Sequence, residues 1–306
     1  MFKRIHRYLK DPYYEIGKDM LKKHPQWMSD KWHIKVQYLT EVGEKINLND
    51  PQSFTEKVQW LKLHDHNSLY TTLVDKHKVK SWVTERIGLE HVLPTLFTWQ
   101  SADEIDINSL PDKFVLKCNH DCGSVIICKD KSKFNLEEAK KKLSVALGKN
   151  HYYYGREWPY KNVKPLIMAE PYITNSPQVD YLTDYKLYCF DGEPRIIKTV
   201  DRQESVARED IYDIGFNLLP THLMHFPTSG IVQSKPEALD EMIMLAKILS
   251  KGLPLCRVDF YHITSETESP RILLGEMSLY DSAGYDPFVP KEWNLKFGEM
   301  IHLPKH

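Results

Sequence analysis

Alternating apolar and polar positions in the middle and toward the end of the chain predict short strands joined by polar turns. The clearest case joins residues 113–118 to residues 125–128 through a polar turn at residues 119–124, which is typical of a β-hairpin. A second hairpin is predicted across Asp191-Gly192, a dipeptide that favours tight turns between antiparallel strands. The strands predicted from such runs are residues 113–118, 125–128, 166–170, 185–190, 194–200, 255–261 and 271–276.

Apolar residues that recur every three or four positions predict helices before and between these strands. Ser53 followed by Glu56 has the spacing of a capping box, which predicts a helix beginning after Ser53. A helix at residues 71–87 is predicted to end at Gly88, because glycine readily adopts the conformation that closes a helix. Further helices are predicted at residues 135–147 and 236–250.

The first ten residues form a basic amphipathic segment. Phe2, Ile5, Tyr8 and Leu9 fall near helical spacing, with lysines and arginines between them. The favoured interpretation is a terminal helix packed on its own domain, because short basic amphipathic stretches are common in soluble proteins; peripheral contact with a membrane surface is the alternative. No apolar run approaches the roughly 20 residues that span a bilayer, and no apolar region follows the basic start, which argues against a secretory signal.

The composition of the chain mainly excludes classes of function. The chain of 306 residues has a formal net charge of −1, without the basic excess expected of a nucleic-acid-binding protein. Its 42% hydrophobic and 27% charged residues are ordinary for a globular protein. The five cysteines are odd in number and lack the CxxC spacing of many zinc sites, so they are interpreted as reduced thiols in a cytoplasmic protein.

Two acidic residues, Asp259 and Glu276, lie within apolar strand sequences near the end of the chain. If their strands pair as a hairpin, both carboxylates can face one point, and oxygen ligands of this kind suit Mg²⁺. The alternative is that they are separate solvated charges. The apolar flanks favour the metal site, because an ionised group inside an apolar strand needs a partner or a metal.

Basic residues at strand ends are candidates for phosphate binding. In the turn at residues 119–124, Gly123 permits close approach of the backbone, and the turn offers N–H donors. Lys117 precedes this turn, whereas Lys186 lies near the start of the second hairpin and Arg202 follows its end. Such cations can stabilise a triphosphate or a developing acyl phosphate. The alternative for each, a solvated surface charge, stays open.

Taken in order, these segments resemble the ATP-grasp superfamily, and more narrowly the TupA-like ATP-grasp proteins, which are associated with bacterial surface polymers. The resemblance covers most of the chain, from about Asn49 onward, and the segments are specific only in combination. They are residues 184–192 (DYKLYCFDG), 257–261 (RVDFY), 275–278 (GEMS) and 282–284 (SAG). The resemblance implies an α+β fold in which two lobes hold ATP between antiparallel sheets. A helical N-terminal region at residues 1–70 would precede lobes at residues 71–170 and 171–306.

The resemblance also implies contacts with the nucleotide. Lys76, in an Asp-Lys pair early in a helix, would approach the phosphates, and Lys117 would contact the α-phosphate and the adenine. The turn is similar to a mobile phosphate loop, whose candidate contacts here are Asn119, Gly123 and Ser124. The hinge between the lobes, where backbone groups would contact the adenine edge, is similar to the segment Glu170, Pro171, Tyr172 and Ile173.

For catalysis, the resemblance implies two sets of residues. The candidate catalytic cations are Arg257, Lys186 and Arg202, and the candidate metal ligands are Asp259, Glu276 and Ser278. Arg257 resembles the arginine that stabilises the tetrahedral intermediate in members similar to D-alanine ligases. Many family members have asparagine two residues after the metal glutamate, where this chain has Ser278. A hydroxyl can still contact Mg²⁺ or its water, but a second metal site would lose its usual ligand.

The implied function is that of a carboxylate–amine ligase that uses Mg-ATP. The carboxylate would attack the γ-phosphate to form an acyl phosphate, and an amine would then displace phosphate to give an amide. Resemblance to surface-polymer proteins implies a uronic-acid or amino-acid carboxylate, so the expected partners are small molecules or polysaccharide precursors rather than nucleic acid. Asp281 and Tyr285, on either side of Gly284, are candidates for contact with the acceptor.

Three other functions stay open at the level of sequence. A glycosyltransferase of surface-polymer synthesis would often carry an Asp-x-Asp metal motif, and no such motif occurs in the chain. An ATP-grasp phosphotransferase would phosphorylate a hydroxyl with the same nucleotide residues, so sequence does not separate it from a ligase. A non-catalytic module would bind ATP without turning it over.

Overall fold

The computed structural model describes residue 17 and residues 19–22, 25–174, 182–201, 208–264 and 271–304. Within these residues the chain has a mixed α+β fold, with helices packed around two antiparallel sheets. The segment at residues 1–10, for which a basic amphipathic helix is predicted, lies outside them. No helix in this part of the chain is long and apolar enough to cross a membrane.

The elements are numbered in chain order. The helices are α1 (Asp30–Glu41), α2 (Phe54–His64), α3 (Leu69–Val74), α4 (Lys78–Ile87), α5 (Leu136–Leu147), α6 (Tyr152–Gly155), α7 (Leu239–Ser250) and α8 (Lys291–Glu299). The strands are β1 (Phe97–Trp99), β2 (Phe114–Cys118), β3 (Ile126–Cys128), β4 (Ile167–Pro171), β5 (Asp184–Phe190), β6 (Glu193–Asp201), β7 (Arg208–Asp213), β8 (His222–Leu223), β9 (Leu255–Ile263), β10 (Arg271–Ser278) and β11 (Phe288–Val289).

The first sheet has the strand order β1-β4-β2-β3. The predicted hairpin of β2 and β3 is confirmed, with Phe114 opposite Cys128. The predicted helix that follows is confirmed as α5, where the side chain of Asn135 accepts a hydrogen bond from the Glu138 N–H at the helix start. Leu143 of α5 is buried in one core with Phe114 of the sheet, so the helix covers one face and leaves the other face for a site.

The second sheet has the strand order β10-β9-β5-β6-β7. The predicted hairpin of β5 and β6 is confirmed, and Asp191 and Gly192 at its turn have φ angles of 50° and 79°. These left-handed values are the ones that a tight type I′ hairpin turn requires. Helix α7 packs on this sheet and shares its core with Leu187 of β5 and Val258 of β9. Side chains alternate along a strand, so their neighbours Lys186 and Asp259 point to the opposite face.

The single helix predicted at residues 71–87 is wrong, because the chain forms α3 and α4 with a break at Asp75 and Lys76. Asp75 adopts an extended conformation, and its Oδ1 accepts hydrogen bonds from the N–H groups of His77 and Lys78 at 3.0 and 3.1 Å. A carboxylate that satisfies free N–H groups at a helix start favours a new helix over a continuous one. Lys76 therefore lies between two helices and not inside one.

Helix α2, in the first quarter of the chain, packs against α8 near its end. The predicted capping box at α2 is confirmed: Ser53 Oγ accepts from the Glu56 N–H, and Glu56 Oε2 accepts from the Ser53 N–H. Gly298 of α8 lies directly against this cap, since a Cβ atom there would be 2.2 Å from the Gln52 carbonyl oxygen. The close approach of the two helices thus depends on a missing side chain.

Substitution Gly298→Ala is expected to destabilise the protein by about 2 kcal/mol, within the range of overpacking in a closed interface. The added methyl must displace backbone atoms of the α2 cap, which cannot rotate away as a side chain would. Gly148→Ala, at the end of α5, is the matched control, because its Cβ would meet nothing nearer than 3.8 Å. Urea unfolding of both variants checks the prediction; equal stability of the two would contradict it.

Candidate functional site

A cavity of about 580 Å³ lies between the two sheets, with walls from both. This volume is in the range of small-molecule sites, about 300–1,000 Å³. The first sheet and α4 supply mainly apolar and basic side chains, and the second sheet supplies most of the acidic ones. The charged residues that line it are Lys76, Lys80, Lys117, Lys129 and Lys186 together with Asp121, Glu170, Asp184, Asp259 and Glu276.

A row of charged residues crosses the second sheet in register. Lys186 of β5 lies directly opposite Asp259 of β9, and Asp259 lies directly opposite Glu276 of β10. Residues that face each other across neighbouring antiparallel strands share one face of the sheet, so all three side chains point toward the cavity. The predicted pairing of the two strands that carry Asp259 and Glu276 is thereby confirmed.

A β-bulge at Gly275 brings Glu276 into this row. Leu274 pairs with Phe260, and the register then shifts by one residue, so that Glu276 and not Gly275 lies opposite Asp259. A bulge of this kind reorients the residues that follow it on the bulged strand. Gly275 also has little room for a side chain, because a Cβ would lie 3.1 Å from the ring of Tyr261.

Arg257 connects the acidic residues at the centre of the site. Its Nε donates to Asp259 Oδ1 at 2.7 Å, and its Nη2 donates to Asp259 Oδ2 and Glu276 Oε1, both at 2.8 Å. Lys186 Nζ also forms an ion pair with Asp259. Burial raises the pKa of the Glu276 carboxyl, but Lys76 and Arg257 outweigh this effect and lower the pKa to about 2. Glu276 is therefore ionised at neutral pH.

Behind Arg257 lies a second layer of charges that the sequence did not predict as a unit. Asp281, in the turn Asp281–Gly284, accepts from Arg257 Nη1, from the Tyr188 hydroxyl and from Lys198 Nζ. Lys198 also forms an ion pair with Glu209 at 3.1 Å. Burial raises the pKa of Asp281, but Lys198 and Arg257 outweigh it, so the pKa lies below its ordinary value. The only sequence signal for Lys198 was the alternation of side chains along β6, which places it on one face of the strand.

The turn between β2 and β3 contacts the cavity through residues other than those predicted. Its lining residues are Asp121, Cys122 and Val125. The side chain of Asn119 is buried, donates to Asp75 Oδ1 at 2.9 Å and accepts from the Leu166 N–H at 2.9 Å. Ser124 Oγ is likewise buried; it accepts from the Cys118 N–H at 2.7 Å and donates to Asp121.

The amide of Asn119 and the hydroxyl of Ser124 are thus engaged in holding the turn together, and neither side chain lines the cavity. That Asn119 and Ser124 contact phosphates stays a prediction, and these side-chain contacts do not favour it. A short turn leaves backbone polar groups unpaired, and small polar side chains within it satisfy them first. Gly123 has open space around it, since a Cβ there would meet nothing within 4 Å.

Lys76 joins this turn to the acidic row. Its Nζ donates to the Asp121 carbonyl oxygen at 2.7 Å and lies 3.6 Å from Glu276 Oε2. Burial lowers the pKa of Lys76, but Glu276 outweighs the burial and the pKa is raised. The structure therefore brings a charged lysine from the break between α3 and α4 to the same point as the metal-ligand candidates.

Glu170 at the end of β4 binds two lysines. Lys117 Nζ and Lys80 Nζ lie 2.6 Å from its two carboxylate oxygens. Burial raises the pKa of Glu170, and the two lysines outweigh it and lower the pKa. Pro171, Tyr172 and Ile173, the rest of the predicted hinge, line the same part of the cavity.

Lys80 was missed by sequence reasoning, although a signal existed. It follows Lys76 by four residues, the spacing that places two side chains on one side of a helix. Helix α4 begins only at Lys78, so Lys76 lies before the helix and Lys80 within it. Both lysines nevertheless line the cavity.

Three predicted residues within the described part of the chain, Arg257, Ser278 and Tyr285, are not among the residues that line the cavity. Ser278 pairs with Arg257 across β10 and β9, two residues along the strands from the pair Glu276 and Asp259. Tyr285 is buried with its ring 4.3 Å from Lys62 Nζ. Arg202 lies outside the described residues. Within the described residues no group of three or more His, Cys, Asp or Glu side chains could hold a metal ion by itself.

Comparison with solved structures finds distant similarity to ATP-grasp ligases. The ligase PsnB with a minimal precursor has 12% identity and a TM-score of 0.37, covering 69% of this chain and 53% of PsnB. The D-alanine–D-alanine ligase of Bacillus anthracis with ATP has 14% identity and a TM-score of 0.38, covering 68% and 55%. The macrocyclase MdnC of Microcystis aeruginosa with its precursor peptide has 9% identity and a TM-score of 0.38, covering 90% and 73%. The chain thus spans little more than half the length of the first two structures.

Comparison with curated proteins found no significant match. The family model for TupA-like ATP-grasp proteins matches residues 56–302, which is most of the chain. This segment contains both sheets, the cavity and every charged residue that lines it. The chain therefore belongs to the TupA-like ATP-grasp family.

Proposed function

We propose that this protein is an ATP-dependent carboxylate–amine ligase that forms an amide through an acyl phosphate. The observation that carries the proposal is the register of the second sheet, in which Glu276, Asp259 and Lys186 form one row facing the cavity. Two carboxylates suit Mg²⁺, and a lysine beside them suits the phosphates that the ion binds. Membership of an ATP-grasp family supports the same interpretation.

Mg²⁺ suits the acidic end of this row. Asp259 Oδ2 and Glu276 Oε1 each lie 2.8 Å from the same atom, Arg257 Nη2, so they are separated by no more than twice that distance. Both are hard oxygen donors, and Mg²⁺ is commonly held by one or two carboxylates plus phosphate oxygens and water. Asp259 and Glu276 would hold the ion, which would neutralise charge on the transferring phosphoryl group.

The lysines around the cavity would bind the phosphates. In the structure Lys186 pairs with Asp259, and Lys76 pairs with Glu276. If the two carboxylates instead bound the cation of Mg-ATP, both lysines would be available for phosphate oxygens. Lys117 lies farther along the cavity, beside Glu170 and the hinge. Fixed cations of this kind stabilise charge that develops during phosphoryl transfer, because they need no reorganisation.

Arg257 would act in the second half of the reaction. When an amine attacks the acyl phosphate, negative charge develops on the carbonyl oxygen, and a guanidinium next to it lowers the barrier. The amine then expels phosphate and gives an amide. Arg257 is already fixed by three carboxylates, which favours this electrostatic role over a role in proton transfer.

The substrate class rests on the family. We propose a uronic-acid or amino-acid carboxylate and an amine, used in synthesis of a capsule or another surface polysaccharide. A reaction that consumes ATP takes place where ATP is held, so the proposed compartment is the cytoplasm. The proposed domain limits are a helical region at residues 1–70 and lobes at residues 71–170 and 171–306.

Release of ADP from Mg-ATP tests the function, with a panel of uronic and amino acids crossed against a panel of amines. We expect ADP only when a matched acid and amine are both present, with one amide formed per ADP. The Asp259→Asn variant, purified in the same way, measures any contaminating ATPase. ADP formed with a single hydroxyl compound would identify a phosphotransferase instead, and nucleotide-sugar turnover without ATP binding would identify a glycosyltransferase.

A further inference from the structure

The guanidinium of Arg257 has more acceptors than a single ion pair would supply. An arginine has five N–H donors in a planar fork. In the described residues, Nε donates once, to Asp259; Nη2 donates twice, to Asp259 and Glu276; and Nη1 donates once, to Asp281. The contacts that the structure describes therefore leave one Nη1 hydrogen without an acceptor.

Two of these three carboxylates are the candidate metal ligands. A cation bound between Asp259 and Glu276 would draw their oxygens away from Arg257, because the same lone pairs serve both contacts. The contact with Asp281 is different, since Asp281 lies on the turn after β10 and does not line the cavity. It is the one carboxylate on Arg257 that need not change partner when the metal site is filled.

Asp281 is itself held rigidly. Its Oδ2 accepts from the Tyr188 hydroxyl and from Lys198 Nζ, at 3.1 Å for the lysine. Tyr188 lies opposite Arg257 on the neighbouring strand, so it belongs to the same sheet face. Lys198 is kept in place by Glu209 of β7. A buried carboxylate that accepts from two other donors of a rigid sheet can fix the guanidinium that binds it.

We propose that Asp281 is a positioning residue that keeps the Arg257 guanidinium directed at the reacting centre while Asp259 and Glu276 are engaged by Mg²⁺. The proposal rests on the proposed function, because it assigns Arg257 to the transition state of that reaction. Asp281 holds one hydrogen of Nη1 and leaves the other for the carbonyl oxygen on which charge develops. Successive ion pairs thus connect the guanidinium to the rigid strands β6 and β7. They run from Arg257 to Asp281, then to Lys198 and Glu209.

Nuclear magnetic resonance of the Arg257 guanidinium tests this role without a known acid or amine. In the wild-type protein with MgADP, we expect slow rotation about the Nε–Cζ bond, with separate signals for the two Nη groups. Asp281→Asn replaces a charged acceptor by a neutral one, so rotation should accelerate about tenfold or more. The dissociation constant of MgADP should change little, because Asp281 does not line the cavity. Tyr188→Phe, which removes one donor from Asp281 and retains the ring, should give a smaller acceleration.

Asp286→Asn is the matched control. Asp286 is also buried and lies five residues farther along, but its partner is His225 and not Arg257. We expect guanidinium rotation in this variant to equal that of the wild type. With an acid–amine pair from the ADP assay, kcat of Asp281→Asn should fall about 10- to 100-fold with little change in KM for ATP.

The outcomes separate this inference from the proposed function. Failure of the wild-type protein to bind MgADP would overturn both. Binding of MgADP by the wild type, together with equal guanidinium rotation in the wild type, Asp281→Asn and Tyr188→Phe, would overturn the positioning role alone. Faster rotation in the control Asp286→Asn as well would also overturn it, because the effect would then reflect loss of any buried carboxylate in this segment.

Discussion

Replacement of Asp259 by asparagine, or of Glu276 by glutamine, is expected to reduce ATP turnover about 1,000-fold. Among the acidic residues that line the described cavity, Asp259 and Glu276 are the only two that lie directly opposite each other on neighbouring strands. Metal-ion catalysis contributes several kcal/mol to phosphoryl transfer, and each 1.4 kcal/mol corresponds to a factor of ten in rate. The amides keep the shape of each side chain but bind a divalent cation far less well. ADP release, with the acid and amine from the panel, measures the loss.

A binding measurement separates loss of the metal from loss of the fold. Both variants should still bind ADP in the absence of Mg²⁺, but the gain in affinity that Mg²⁺ gives the wild type should disappear. Asp184→Asn is the control, because Asp184 lines the same cavity yet lies opposite Tyr261 and not opposite Glu276. Its turnover should fall less than tenfold. Wild-type turnover in both metal-site variants would rule out the assignment of Asp259 and Glu276.

The acidic pair could be predicted from sequence because each member interrupts an apolar strand. A charge in such a position must face a partner, and two such strands in succession favour a hairpin. The register was beyond sequence reasoning. Regular alternation from Leu274 opposite Phe260 would have put Gly275 opposite Asp259, and only the bulge brings Glu276 there. At the bulge Gly275 packs closely against the ring of Tyr261 on the neighbouring strand, and single-sequence patterns do not contain such contacts between strands.

Residues of the phosphate turn were harder to assign, because a polar residue in a turn has two uses. Asn119 and Ser124 were predicted to contact phosphates, whereas their side chains bind the turn and the strand ends around it. The sequence carries no information on which polar groups the turn itself must satisfy. Conversely, Asp121 lines the cavity and presents its carbonyl oxygen to Lys76, although nothing in the sequence distinguishes it from its neighbours.

The partners in the second layer of charges could not be predicted from sequence either. Asp281 and Lys198 are separated by 83 residues and meet only because β5, β6 and β9 are adjacent in the sheet. Their type and strand position predict at most that each needs a partner. Strand order decides which partner it is, and strand order follows from long-range packing that single-sequence patterns do not contain.

Replacement of Glu170 by glutamine is expected to lower the free energy of unfolding by about 3–5 kcal/mol, the usual cost of removing one partner of a buried ion pair. Its carboxylate is 6% exposed and is shared by Lys80 and Lys117, each at 2.6 Å. Without it, two ammonium groups that are 14% and 15% exposed lose their counter-charge. Urea unfolding at neutral pH measures the difference. Glu193→Gln is the control, because its pair with Lys247 has a similar distance, 2.7 Å, but is largely exposed, so its loss should cost less than about 1 kcal/mol.

The pH dependence of stability gives a second, independent check of the Glu170 site. The pKa of Glu170 in the folded protein lies below its ordinary value of 4.5, so its contribution is present above that value and is lost as the pH falls through the folded pKa. The wild-type advantage over Glu170→Gln should therefore shrink on acidification from neutral pH to below 4.5. Burial already lowers the pKa of Lys80, and Glu170 opposes this. In Glu170→Gln the pKa of Lys80 should fall further, so that stability rises with pH in the alkaline range, because the unfolded chain then binds more protons. A stability difference between the two proteins that is constant over the whole pH range would contradict the ion-paired state of Glu170.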